Sequence, residues 1–213
     1  KEIADLLSLG GVESACLGTL SREPEVDDVD RFSAELRRLS AGRGDFLLAV
    51  GGGSAIDLAK ATAAMAVNME SPTVKDYLEG VGQGLKIVEE PLPVLAIPTT
   101  AGTGSEVTRT SIISDTARDV KMMCLDNSFI TAGALVDYET TFSMPADLTA
   151  YVGLDALTHA IEGYVSRKRN PVSDSLALAA IAKIATYLRR AWANPDDAEA
   201  RENMMHGDRK SVV

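Results

Sequence analysis

Two glycine-rich loops and one helix-like segment of this chain carry residue types able to do chemistry. The first loop is Gly51-Gly52-Gly53-Ser54-Ala55-Ile56-Asp57-Leu58-Ala59-Lys60, set between the apolar run Phe46 to Val50 and a stretch of helical composition. Glycines let the backbone approach a ligand closely. A helix starting there offers free N–H groups and the positive end of its dipole, which suits a pyrophosphate. The pattern is neither Gly-x-Gly-x-x-Gly nor a P-loop, because Lys60 lies seven residues beyond Gly53. On these residues alone a bland structural turn is an equal reading. The second loop, Pro98-Thr99-Thr100-Ala101-Gly102-Thr103-Gly104-Ser105-Glu106, follows Val94 to Ile97. Its hydroxyls and glycine amides form a donor-rich rim at a strand's carboxyl end, where open α/β sheets bind ligands. Two such rims on one sheet point to a nucleotide or another phosphorylated ligand. With no Lys directly after either loop, a dinucleotide held through backbone amides is favoured over triphosphate chemistry.

The third segment runs from Asp147 to Glu162. Asp155 and His159 are four apart, so on a helix both project from one face about one turn apart and can share a metal. By itself such a pair is more commonly a cap or a surface pair. Glu162, three beyond His159, reads either as a partner for the imidazole or as a helix-surface acid. A catalytic metal normally takes three or more protein ligands, yet His159 and His206 are the chain's only histidines. His206, beside Met204, Met205 and Gly207, reads as incidental.

These segments need a scaffold, and the chain alternates short apolar runs with stretches of helical period, as βαβ units do. Strands are expected at Ser14 to Leu20, Phe46 to Val50, Val94 to Ile97, Lys121 to Leu125 and Ala134 to Val136, and helices at Val26 to Ser40 and Ala55 to Val67. After Pro145 the pattern is helical throughout: Ala146 to Ser166, Val172 to Trp192 and Pro195 to His206, punctuated by Asn170-Pro171 and Asn194-Pro195. The expected fold is therefore α/β. Residues 1–145 are expected to form an α/β domain with a parallel-type, incomplete sheet and 146–207 to begin an all-helical domain; the resemblance described below implies that the first is a Rossmann-like dinucleotide-binding domain and the second a metal-binding one. Both loops should meet at the carboxyl edge of neighbouring strands. The chain opens in helix-like Lys1 to Leu9, so the first strand of the sheet is expected to lie outside it. Asp208 to Val213 matches one reading frame of a common sequencing adapter, and 208–213 are expected to be an artefactual tail.

Composition bounds the partners. Of the 213 residues, 46% are hydrophobic and 24% charged, an ordinary globular mix. The formal net charge of −10 disfavours nucleic acid and anionic membranes unless a local basic patch meets them. The run Arg167, Lys168, Arg169 reads as a solvated helix end. No stretch approaches a membrane span or a signal peptide, which points to the cytoplasm. Cys16 and Cys124 sit in apolar runs and read as buried thiols. Self-association is left open.

Gly51 to Lys60, Pro98 to Ser105 and Gly153 to Glu162, in this order and at these intervals, closely resemble the iron-containing (group III) alcohol dehydrogenase family, over essentially Lys1 to Met205. The resemblance implies NAD or NADP and a divalent metal, iron or zinc, in a cleft between an α/β domain and a helical domain. It implies that Gly52, Gly53 and Ser54 hold the pyrophosphate, that Asp57 belongs to the cofactor-binding set, and that Thr99, Thr100 and Thr103 line the cofactor. Thr110 matches a polar cofactor contact and Lys121 a ribose-contacting lysine, while Asp155 and His159 match the first two metal ligands. Glu23, before Pro24, stands where relatives often place an Asn. The further histidine ligands and the acid that favours NAD over NADP are expected outside this span. The implied activity is hydride transfer between nicotinamide and a small alcohol or aldehyde, with this fragment itself inactive. A dehydroquinate synthase-like lyase is the alternative within the superfamily, but the Asp155 to Glu162 segment lacks the basic residues such a substrate needs. A nucleotide-binding module without catalysis is the other alternative.

Overall fold

The computed structural model describes residues 2–211. Its first helix, α1 (Glu2–Leu9), buries none of its residues. Helix α2 (Val26–Arg38) begins where the Asp28 carboxylate accepts the Glu25 N–H at 3.0 Å and is held by Arg22 at 2.6 Å. Asp27 and Asp28 in its first turn and Arg37 and Arg38 in its last complement the helix dipole. Its buried stripe of Val29, Phe32, Ser33 and Leu36 follows the helical period.

Strand β1 (Leu47–Gly51), helix α3 (Gly53–Val67) and strand β2 (Val94–Pro98) form the expected βαβ unit. β1 and β2 pair in parallel from Leu47 against Val94 to Gly51 against Pro98, and β5 (Gly133–Ala134) extends the sheet beyond β2. Ten α3 residues are buried, and Ile56, Ala61, Ala63 and Ala64 have no exposed surface. The small alanines let this helix lie close to its neighbours.

Two expectations about the sheet are corrected. The strand expected at Lys121 to Leu125 is present as β4 (Val120–Leu125), but it does not join the parallel sheet: it pairs antiparallel with a strand not expected from sequence, β3 (Thr110–Asp115), in a separate two-stranded sheet. The link Thr116 to Asp119 is too short for a parallel crossover, which takes a dozen or more residues. β3 escapes an apolar-run reading because it buries Ser111 and Asp115 along with Ile113. Ser14 to Leu20 is not a strand: among the described residues it finds no strand to pair with, and only Leu17 and Leu20 lean on the cores. Cys16 in that segment is exposed, against the expectation of a buried thiol, while Cys124 is buried as expected.

All described secondary structure after Pro145 is helical: α4 (Ala146–Val165), α5 (Pro171–Ala193) and α6 (Ala198–Ser211). Asn170 caps α5 by accepting the N–H groups of Val172 and Ser173, with Pro171 in the first turn, so the Asn-Pro signal is a true start. Their shared core is small and apolar, with Ala156, Ala160, Ala180, Ile184, Ala200, Met204 and Met205. Gly153 lets α4 approach α5, since a β-carbon there would lie 2.3 Å from Leu188 Cδ1. Arg201, fully buried, ties α6 to the start of α4 by donating to Thr149 Oγ1 at 2.9 Å and to the carbonyls of Pro195 and Met144. The last helix starts later than expected and runs past His206 to Ser211. Among the described residues no helix is long and apolar enough to cross a membrane.

Candidate functional site

Parallel pairing sets Gly51 beside Pro98, and Thr99 N–H donates to Gly51 O at 2.9 Å, so both glycine loops leave the sheet at one carboxyl edge. The second loop folds back onto the first. A β-carbon on Gly52 would lie 3.1 Å from Thr100 Cγ2, and one on Gly53 would lie 2.6 Å from Thr103 Oγ1. Gly52 caps α3 and Gly53 opens it, so the amides of Gly53 and Ser54 have no acceptor within the helix and sit at the positive end of its dipole. The structure thus brings together Gly52, Gly53, Ser54, Thr99, Thr100 and Thr103, the six loop residues singled out from sequence.

Asp57 lies beneath this rim. Its carboxylate accepts from Ser105 Oγ and from Ile112 N at 3.0 Å, and it pairs with Lys60 Nζ at 3.3 Å. Burial pushes the Asp57 carboxyl up and the Lys60 ammonium down, and each charge offsets the desolvation of the other. Lys60 donates to Ser105 O at 2.9 Å and to Thr108. From sequence Lys60 has no role and Ser105 only a share in the donor-rich rim of the second loop; the signal for Lys60 is a single charge inside an otherwise apolar, Ala-rich helix. Thr110 opens β3, and its carbonyl accepts from Thr108 Oγ1 at 3.4 Å. Lys121, on β4, pairs with Glu23 at 3.0 Å, so two positions that the resemblance sets beside the cofactor meet each other.

Helix α4 enters at Gly102. A β-carbon there would lie 2.4 Å from Val152 Cβ and 2.5 Å from Val152 O, so the loop rests on α4 one turn before Asp155. Asp208, in the stretch expected to be an artefactual tail, is buried, and its carboxyl lies close to the Gly102 to Gly104 turn. Burial, with Glu106 and Asp155 adding repulsion, pushes its pKa up to about 8.

Asp155 Oδ1 and His159 Nε2 stand 3.9 Å apart, one helical turn along α4, and both side chains are partly exposed. His159 Nδ1 is buried with no hydrogen-bond partner among the described residues. A carboxylate and an imidazole converging in this way fit a divalent metal as part of its ligand set. Among the described residues no group of three or more His, Cys, Asp or Glu converges for a metal. Glu162 is exposed and makes no hydrogen bond to His159, which leaves it a surface acid. His206 faces Glu202 at 3.9 Å on α6.

The family model described as iron-containing alcohol dehydrogenase matches residues 1–138, and that of the iron-containing alcohol dehydrogenase C-terminal region matches 149–209. The chain belongs to the iron-containing alcohol dehydrogenase family. It is 46% identical over 163 residues to the NAD-dependent methanol dehydrogenase of Bacillus methanolicus, covering 76% of this chain and 41% of that protein. It is 39% identical over 206 residues to alcohol dehydrogenase 4 of Saccharomyces cerevisiae strain YJM789, covering 97% of this chain and 52% of that one. Among solved structures, sulfoacetaldehyde reductase from Bifidobacterium kashiwanohense in complex with NAD+ superposes with a TM-score of 0.88 at 34% identity, over 99% of this chain and 55% of that one. This family member thus spans about half the length of the relatives it matches. Its two glycine loops and the α4 pair lie within the spans of the two family models.

Proposed function

We propose that this chain supplies the dinucleotide site and the first two metal ligands of an NAD(P)-linked, metal-dependent alcohol dehydrogenase or aldehyde reductase. The observation that carries the reading is the meeting of three elements: the Gly52–Gly53 turn, the Thr99–Thr103 loop packed onto it, and α4 seated on Gly102 with Asp155 and His159 one and two turns further along. The amides of Gly53 and Ser54 bind the pyrophosphate, and Thr99, Thr100 and Thr103 line the path from there toward α4. Thr110 and Lys121 complete the cofactor set, Lys121 with its charge tempered by Glu23. Asp57 acts from beneath, through the groups it holds.

Asp155 and His159 would hold iron or zinc, and their donor atoms do not by themselves select between the two. When bound, the metal supplies Lewis acidity toward an alcohol or carbonyl oxygen and the nicotinamide supplies or accepts hydride. The chain's own residues orient the dinucleotide against α4. The NAD-dependent methanol dehydrogenase and the sulfoacetaldehyde reductase in complex with NAD+ among the relatives support NAD and an alcohol or aldehyde substrate.

Gly52→Val tests the cofactor half of the reading. Its β-carbon already meets Thr100 at 3.1 Å, and the added methyl groups crowd the phosphate approach. The expected result is NADH binding weakened about tenfold or more, the loss of at least one charge-assisted hydrogen bond, with an unchanged circular dichroism spectrum. Unchanged NADH titration would remove the loop from the site.

A further inference from the structure

Lys60 is buried on α3 with no exposed side-chain surface, and Asp57, one turn earlier, is nearly as enclosed. An ammonium in such a place is costly unless its donors are used, and here they are shared among Ser105 O, Thr108 and Asp57. The geometry centres on one residue. Ser105 donates its hydroxyl to the Asp57 carboxylate and accepts at its carbonyl from Lys60 at 2.9 Å. Its remaining polar group, the N–H, donates to Thr103 Oγ1 at 3.3 Å. Asp57 is itself fixed from the far side, where its carbonyl accepts from Ser111 Oγ at 2.8 Å and its carboxylate from Ile112 N.

A threonine hydroxyl has one proton and two lone pairs. With a lone pair engaged by Ser105 N–H, the Thr103 proton is turned away from Ser105. Thr103 Oγ1 lies over the α-carbon of Gly53, at the start of α3 where the free amides are. A hydroxyl fixed in this sense adds a donor to a rim of donors, which is what a phosphate oxygen requires.

We propose that the buried Asp57–Lys60 pair is a positioning device: by gripping Ser105 at both its hydroxyl and its carbonyl, it sets the Thr103 hydroxyl as a hydrogen-bond donor to a phosphate oxygen of the dinucleotide. The inference rests on the cofactor reading above and deepens it. Asp57 and Lys60 touch no ligand and act through Ser105.

The test is a double-mutant cycle read by NADH affinity and by melting temperature, on the family-length protein carrying this sequence. Thr103→Val should weaken NADH binding about tenfold, as for a lost hydrogen bond to a charged group. Ser105→Ala should weaken it severalfold, and Ser105→Thr, which keeps the hydroxyl, should restore it. The double variant Ser105→Ala with Thr103→Val should bind no more weakly than Thr103→Val alone, while the two losses in melting temperature add. Lys60→Met should show the same coupling to Thr103 where it folds. Wild-type affinity in Ser105→Ala, or affinity losses that multiply in the double variant, would overturn the inference. Gly52→Val separates the two levels: if it weakens NADH binding and Ser105→Ala does not, only the positioning role fails. If Gly52→Val binds normally, the cofactor reading fails and takes the inference with it.

Discussion

Gly102 and Val152 are in direct backbone contact: a β-carbon on Gly102 would fall 2.4 Å from Val152 Cβ and 2.5 Å from its carbonyl oxygen. This contact joins the two proposed sites, because Gly102 belongs to the threonine-rich loop and Val152 precedes Asp155 by one turn of α4. A flexible side chain could yield to an added methyl group. A helix backbone cannot.

Gly102→Ala should therefore push the loop and α4 apart, costing about 1–3 kcal/mol of stability, the range for overpacking a well-filled site. Urea denaturation measures the cost. NADH affinity and metal affinity should fall together in this variant, and a change in NADH affinity with metal binding untouched would show that the contact does not couple the two sites.

The thiols give a prediction that needs no ligand. Burial pushes the Cys124 thiol up to about 12, so it carries almost no thiolate at neutral pH, while Cys16 is exposed. Alkylation of the folded protein near pH 7.5 should modify Cys16 alone, and unfolding should release the second thiol. Mass mapping that finds Cys124 labelled at a similar rate in the folded protein would contradict the burial of β4 against the Tyr77 segment.

The parts of this structure legible in the sequence are those in which local chemistry and tertiary role agree. Gly52, Gly53 and the following Ala-rich helix read as a strand–turn–helix because a close-packed βαβ unit needs those residue types where they stand. Asn170-Pro171 read as a helix start because the cap is local. β3 does not read as a strand, since its buried positions Ser111 and Asp115 are polar, and they face partners far along the chain, Asp57 O for Ser111 and Lys75 Nζ for Asp115, with Arg118 beside Asp115 as well. Ser14 to Leu20 had the composition of a strand but lacks a pairing edge among the described residues, and composition carries no information about that edge.

The same division holds at the site. Asp155 and His159 were legible from their spacing on a helix, which sets their separation. Ser105 was not, because its importance comes from Asp57, 48 positions away, and from Lys60, 45 away. Asp57 is implied only by the resemblance, and the structure gives it a physical reason: a carboxylate on α3 that braces the second loop and β3 at once.

The central claim is that Asp155 and His159 belong to a metal site that serves hydride transfer, and its most direct measurement pairs metal content with NADH-dependent aldehyde reduction, before and after His159→Ala, in the family-length protein carrying this sequence. The parent is expected to hold a divalent metal and to reduce aldehyde. His159→Ala should lose most of the metal and at least about a hundredfold in turnover, the scale of a lost Lewis acid, while NADH still binds at Gly52 to Thr103. The 213-residue chain alone should bind NADH, hold metal weakly and show no turnover. Aldehyde reduction that survives undiminished in His159→Ala, or after the metal is stripped from the parent, would contradict it.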